Sequence, residues 1–225
     1  MTGETGFAII ELFTSEGCSS CPPADDAVAQ IQKKYADKNV LVLGYHVDYW
    51  DRLGWKDPFS SADFTSRQNY YADIFKLSSI YTPEVVVNGQ EEFVGSDKNK
   101  LISTVEEQLK ENTSSAIKIK AAQNTAGKIE ITYSTQGNYS KQEELVLLLV
   151  QKTATNNIKK GENEGRTLHH INIVRKFSSF DMPSKEETTT FNLPTGLKKE
   201  DVFIAAFIQN KKSGKISGIQ SAQIN

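Results

Sequence analysis

Glu11-Leu12-Phe13-Thr14-Ser15-Glu16-Gly17-Cys18-Ser19-Ser20-Cys21-Pro22-Pro23-Ala24-Asp25 is the stretch on which the fold turns. Phe7 to Phe13 is apolar except for Glu11 and reads as a buried strand. Thr14-Ser15-Glu16-Gly17 is turn-prone, and Cys18-Ser19-Ser20-Cys21 follows it directly. Beyond Pro22 and Pro23, apolar residues recur at Ala24, Ala27, Val28, Ile31 and Tyr35, the period of a helix. Proline suits a first helical turn, where its missing N–H costs nothing. The acids Asp25 and Asp26 sit where a helix dipole favours negative charge. The cysteines therefore fall where a strand feeds a helix N-terminus.

Cys18 and Cys21 are the only two cysteines, too few for a disulfide framework or, alone, for a four-ligand zinc site. A redox couple, a metal site completed by other residues and an inert pair remain. A helix N-terminus lowers a thiol pKa, and the thiolate is the nucleophile. The reading is Cys18 as the exposed nucleophile at the helix lip and Cys21 as the partly covered resolving thiol. Glu11, in the apolar strand just before them, reads as a proton relay to the resolving thiol or as a structural carboxylate. Nothing in the sequence calls for a cofactor.

Working outward, Val40 to Val47 reads as a second strand, and 57–77 as loop and amphipathic helix. Val85 to Val87 and Glu92 to Val94 form a hairpin through Asn88-Gly89. Leu101 to Leu109 is a last helix. This order predicts a thioredoxin-like α/β domain over residues 1–112. Tyr81-Thr82-Pro83 precedes its third strand, where a proline needs special geometry. A cis Thr82–Pro83 bond beside the cysteines is the expectation, with the backbone of Thr82 meeting substrate. His46, Asp48, Trp50, Asp51, Trp55 and Asp57 cluster after the second strand. They read as a specificity loop or acid/base site, with His46 and Asp48 foremost, or as a loop packed by its own aromatics.

Asn112-Thr113-Ser114-Ser115 marks a boundary, and beyond it the pattern becomes all strand. Seven strands are predicted at about 115–121, 127–134, 143–152, 167–177, 186–192, 201–209 and 215–224. An immunoglobulin-like β-sandwich over 113–225 is the expected second domain. The polar connection from about Thr153 to Gly165 reads as a mobile or functional segment. Alternation puts His169 and His170 on opposite faces, so they do not form a chelating pair.

The composition excludes other classes. Eleven Phe, eight Tyr and two Trp in 225 residues argue against disorder. No apolar run approaches the roughly 20 residues of a bilayer-spanning helix. A net charge of −2 gives no reason to seek nucleic acid, although residues 1–112 carry −8 and residues 113–225 carry +6. Phosphate-binding loops and the Gly-x-Ser-x-Gly elbow of serine hydrolases are missing from the sequence. Met1 is followed at once by Thr2-Gly3-Glu4 and then an apolar strand, with no cleavable signal. Both a cytoplasmic protein and a mature chain with an added start fit that beginning.

The opening stretch resembles a bacterial family of secreted, thioredoxin-like proteins whose domain is catalogued as of unknown function. The resemblance continues at His46-Val47-Asp48-Tyr49-Trp50-Asp51, Gly54-Trp55-Lys56-Asp57, Arg67-Gln68, Tyr81-Thr82-Pro83, Gly165-Arg166-Thr167-Leu168 and Asn172-Ile173-Val174-Arg175. It implies a thioredoxin-like fold and a periplasmic or secreted setting, and brings no substrate. Ser-Ser between the cysteines, no Trp before Cys18 and Pro22 after Cys21 depart from ordinary thioredoxins and point to narrow specificity. Three functions follow as expectations. The first is thiol–disulfide exchange with a protein or small-molecule thiol or disulfide. The second is Cu(I) handling by the two thiols with His46 as third ligand. The third is a non-catalytic interaction module.

Overall fold

The computed structural model describes residues 6–111 and 116–225. The strands are β1 (Ala8–Thr14), β2 (Val40–His46), β3 (Glu84–Val87), β4 (Glu91–Val94), β5 (Ala116–Gln123), β6 (Lys128–Gln136), β7 (Glu143–Asn157), β8 (Thr167–Asp181), β9 (Glu187–Asn192), β10 (Val202–Asn210) and β11 (Ile216–Gln223). The helices are α1 (Pro22–Lys34), α2 (Ala62–Phe75) and α3 (Lys98–Gln108). Every strand and helix expected from the sequence is present within a few residues. The boundary expected at 112–115 lies outside the described residues.

Their assembly differs from the expected pair of folds. Eight strands form one mixed sheet in the order β11-β10-β7-β8-β2-β1-β3-β4, and β5-β6-β9 form a second. β8 pairs in parallel with β2 at Gly44 and Ile173, so a strand from the second half of the chain continues the sheet of the first. A thioredoxin-like domain followed by a separate immunoglobulin-like sandwich is therefore not what forms.

The reason is written in β7 and β10. Leu145, Leu147 and Leu149 face a core shared with β5 and β6, while Val146, Leu148 and Val150 face the core under α2. In β10, Ile204 and Phe207 likewise point to opposite cores. Strands buried on both faces read as unbroken apolar runs, whereas one face of a sandwich strand is solvated and alternates. β5 and β6 do alternate, and they form the outer layer.

One face of the large sheet carries a continuous core from Phe13 and Tyr45 to Phe207, covered by Phe64 and Tyr71 of α2. The other face is divided. α1 and α3 cover Ile10, Leu12 and Val85 at one end. The three-stranded sheet covers β7 and β10 at the other. Among the described residues no helix is long and apolar enough to cross a membrane.

Candidate functional site

β1 delivers the chain to its C-terminal end, where the Ser15 hydroxyl accepts from Gly17 N–H at 3.1 Å and turns it. Cys18 N–H donates to Ser15 O and Cys21 N–H to Cys18 O, so the pair lies in a tight turn. Cys21 is the N-cap of α1, with prolines in the first turn as expected, and its carbonyl accepts from Ala24 and Asp25. Cys18 and Cys21 are joined as a disulfide.

Both cysteines are fully buried, at 0% exposure, while Ser19 and Ser20 between them face solvent. An exposed Cys18 at the helix lip is thus corrected. The loop 158–166, joining β7 to β8, is hydrogen-bonded across the cysteine turn. Asn163, itself buried, donates from its side-chain amide to Cys18 O and Glu16 O, each at 2.9 Å. Glu162 accepts from Ser19 N–H at 3.1 Å, and hydrogen bonding to the Ser19 side chain and backbone lowers its pKa.

Beneath the pair lies a buried polar network that joins the two halves of the chain. Glu16 is fully buried and accepts from Trp55 Nε1 at 2.8 Å and Asn156 Nδ2 at 2.7 Å. His170 of β8 bridges Glu16 at 3.2 Å and Asp25 of α1 at 3.4 Å. Burial works against a charged His170, but the hydrogen bonds to Asp25 and Glu16 prevail and raise its pKa to about 10. Thr14 donates to the other Asp25 oxygen at 3.1 Å. Asp57 accepts from Glu16 N–H at 2.8 Å and meets His46 Nδ1 at 2.7 Å. Burial would raise the Asp57 pKa, yet the His46 charge and hydrogen bond leave it lowered.

The Thr82–Pro83 bond is cis, as expected. Because Phe13 pairs with Glu84, this bond sits at the same end of the sheet as the cysteine turn. Trp50 links the two: its indole N–H donates to Thr82 Oγ1 at 2.8 Å, and a Cβ on Gly17 would come within 3.2 Å of Trp50 Cβ. Glu84, next after the proline, is buried and accepts from Gln68 at 2.6 Å. Burial pushes its pKa up to about 7.

The structure thus brings Trp50 and Trp55 to the cysteine turn, and His46 to it through Asp57. Asp48 instead pairs with the Thr65 hydroxyl on α2 at 2.6 Å. Glu11, read as a proton relay or a structural carboxylate, faces α2. Its carboxylate takes two bonds from Arg67 of α2, at 2.7 and 2.9 Å, and a third from the Tyr71 hydroxyl. β1 alternates, so Glu11 projects with Ile9 and Phe13 toward α2, while α1 and its N-cap Cys21 lie over the opposite face. Among the described residues no three His, Cys, Asp or Glu side chains group to hold a metal.

Sequence reasoning missed Glu16, Asp25, His170, Glu162 and Asn163 as neighbours of the pair. Two weak signals pointed their way. Glu16 and Asp25 lie inside the decisive stretch, and Glu162 and Asn163 lie in the polar connection read as mobile or functional.

A cleft of about 180 Å³ opens beside the turn, lined by Pro22, Asp25, Asp26, Arg166, His169 and His170.

The chain belongs to a family described as protein of unknown function (DUF1223), which matches residues 9–209. It is similar to a crystal structure of a protein from Agrobacterium tumefaciens, with TM-score 0.71 and 25% identity over 97% of this chain and 94% of that one. It is also similar to HBP35 of Porphyromonas gingivalis, with TM-score 0.69 and 15% identity over 100% of this chain and 77% of that one. The second likeness is one of fold alone. No curated protein matches the chain.

Proposed function

We propose that the protein is a thiol–disulfide oxidoreductase of narrow specificity. The observation that carries this reading is the Cys18–Cys21 disulfide closed at the N-cap of α1, at the C-terminal end of β1. There the helix N-terminus favours a thiolate over a thiol. In the reduced protein, the Cys18 thiolate attacks one sulfur of a substrate disulfide, and the other sulfur leaves as a thiolate that takes a proton. Cys21, deprotonated, then attacks Cys18 in the mixed disulfide. The Cys18–Cys21 bond forms, and the substrate departs with two electrons and two protons. The reverse sequence oxidises a dithiol.

Trp50, Thr82 and Pro83 form the wall against which a substrate chain would lie. The cleft lined by Pro22, Asp26 and Arg166 offers charged groups of both signs next in sequence to Cys21. Such a mixed, small recess suits a particular peptide or small thiol better than many substrates, which supports narrow specificity. A periplasmic or secreted setting, where disulfides persist, accords with this chemistry.

The test is to trap the mixed disulfide. Cys21→Ser, reduced and offered oxidised glutathione or a disulfide-bonded peptide, should accumulate a covalent adduct on Cys18. Cys18→Ser should not. Adducts on neither variant, with both folded, would overturn the exchange reading.

A further inference from the structure

The disulfide is buried in a place where helix geometry alone would expose it, and a single short loop is hydrogen-bonded across the turn that carries it. We infer that the β7–β8 loop, 158–166, is a lid that must swing away before any thiol reaches the Cys18–Cys21 pair. Whether the opened pair serves exchange rests on the reading above; the lid itself can be tested apart from it.

The neck of the loop is closed on itself. Ile158 N–H donates to Arg166 O and Gly165 N–H to Ile158 O, both at 2.9 Å, and the Ile158 side chain is buried. The tip, 161–164, is bounded by Gly161 and Gly165, both at φ 79°, the left-handed region that favours glycine. No side chain is needed at Gly165, where nothing lies within 4 Å of a notional Cβ. These two positions can absorb the backbone rotation of a moving tip.

The tip is latched at two points on the cysteine turn. Asn163 spans Glu16 O and Cys18 O, and its own Oδ1 accepts from Arg166 Nη1 at 3.0 Å. Glu162 caps Ser19 N–H. A third contact is steric. Gly161 packs against the 51–55 turn, so that a Cβ at 161 would meet Trp55 Cβ at 3.3 Å. Trp55 in turn holds Glu16. The latch is thus a few hydrogen bonds from two polar side chains to backbone atoms, which a segment opening locally can release. It also states what can displace it. A ligand that offers a carbonyl or carboxylate oxygen to Ser19 N–H, and an amide N–H to Cys18 O, replaces two of the three latch bonds. An extended peptide backbone offers both groups.

The experiment follows the rate at which dithiothreitol reduces the pair in the full chain, read by alkylation mass shift. One dithiothreitol thiolate attacks a sulfur of the pair, the other cysteine leaves, and the second reductant thiol closes the ring, transferring two electrons. Glu162→Ala should raise this rate about fivefold, as loss of one hydrogen bond from a latch implies, and Asn163→Ala, which removes two, should raise it further. Glu164→Ala, on the same tip but exposed and outside the latch, should leave it unchanged. Asn163 is buried, so if Asn163→Ala folds poorly, Glu162→Ala, a change on an exposed side chain, decides the matter. Rates in Glu162→Ala and in folded Asn163→Ala that stay within about twofold of the parent would overturn the lid. A failed lid with trapped adducts on Cys18 leaves the exchange reading standing. A released lid without adducts leaves the lid standing and removes that reading.

Discussion

Two buried clusters tie the halves of the chain together, and they differ in the cation at the centre of each. Glu11, Arg67, Tyr71 and Gln209 join β1, α2 and β10 in the middle of the large sheet. Glu16, His170 and Asp25 join the cysteine turn, β8 and α1 at its end. The first is built on a guanidinium that stays charged at any ordinary pH, and four aromatic rings surround it at 4.9–5.6 Å. The second is built on an imidazole, which can lose its charge. The first cluster is a fixed rivet. The second is a rivet whose strength depends on pH, and it lies under the disulfide.

The sharpest way to separate them is pH. His170 gains carboxylate partners on folding, so its pKa is raised to about 10 from 6.5 in the unfolded chain. The stability it contributes is fully present below about pH 6.5 and is lost as pH rises through about 10. Urea unfolding across that window should show a decline of up to about 5 kcal/mol, and His170→Gln should flatten it. An identical decline in the variant would move the pH dependence elsewhere.

Arg67→Ala leaves Glu11 buried without its partner and should cost about 3–5 kcal/mol. Parallel urea titrations of the parent and variant at pH 7 measure it, and a loss under about 1 kcal/mol would erase the contrast between the clusters.

Opening the disulfide tests the turn that the second cluster supports. The closed ring is short, so reduction should lower stability by only about 2 kcal/mol on the chain-entropy estimate. Comparing the thermal melts of oxidised and reduced protein measures it. The smallest effect belongs to Trp55→Phe, which removes one hydrogen bond to Glu16 and should cost about 1 kcal/mol in urea unfolding.

Much of this molecule was legible in its residues. The strand, turn, cysteine pair and proline-led helix from Phe7 to Tyr35 stand as expected, because each step has its own local chemistry. The cis bond at Pro83 and the hairpin at Asn88-Gly89 were legible for the same reason. The assembly was not. Period-two alternation in Ile117, Ile119 and Ala121 suggested a sandwich, and those residues do lie in a half-buried layer. The unbroken runs Leu145–Val150 and 202–208 carried the opposite message, that these strands are covered on both sides. Weighing them would have placed β7 and β10 inside a larger sheet.

The candidate site divides along the same line. Cys18 and Cys21 are chemically distinctive in sequence. Glu16, His170 and Asn163 become neighbours only because β8 joins β2, a pairing between residues far apart in the chain that no local pattern marks. The two readings of Glu11 stayed open because a lone acid in an apolar strand looks the same whether its partner is a thiol or Arg67. Only the face of the strand decides, and the face depends on where α1 and α2 pack.

The measurement that bears most directly on the central claim is the reduction potential of the Cys18–Cys21 pair, from a glutathione titration read by alkylation mass shift. A value between about −270 and −120 mV, the span of working oxidoreductases, is the expected result. A value below about −300 mV is that of a structural disulfide, and it would contradict the redox function.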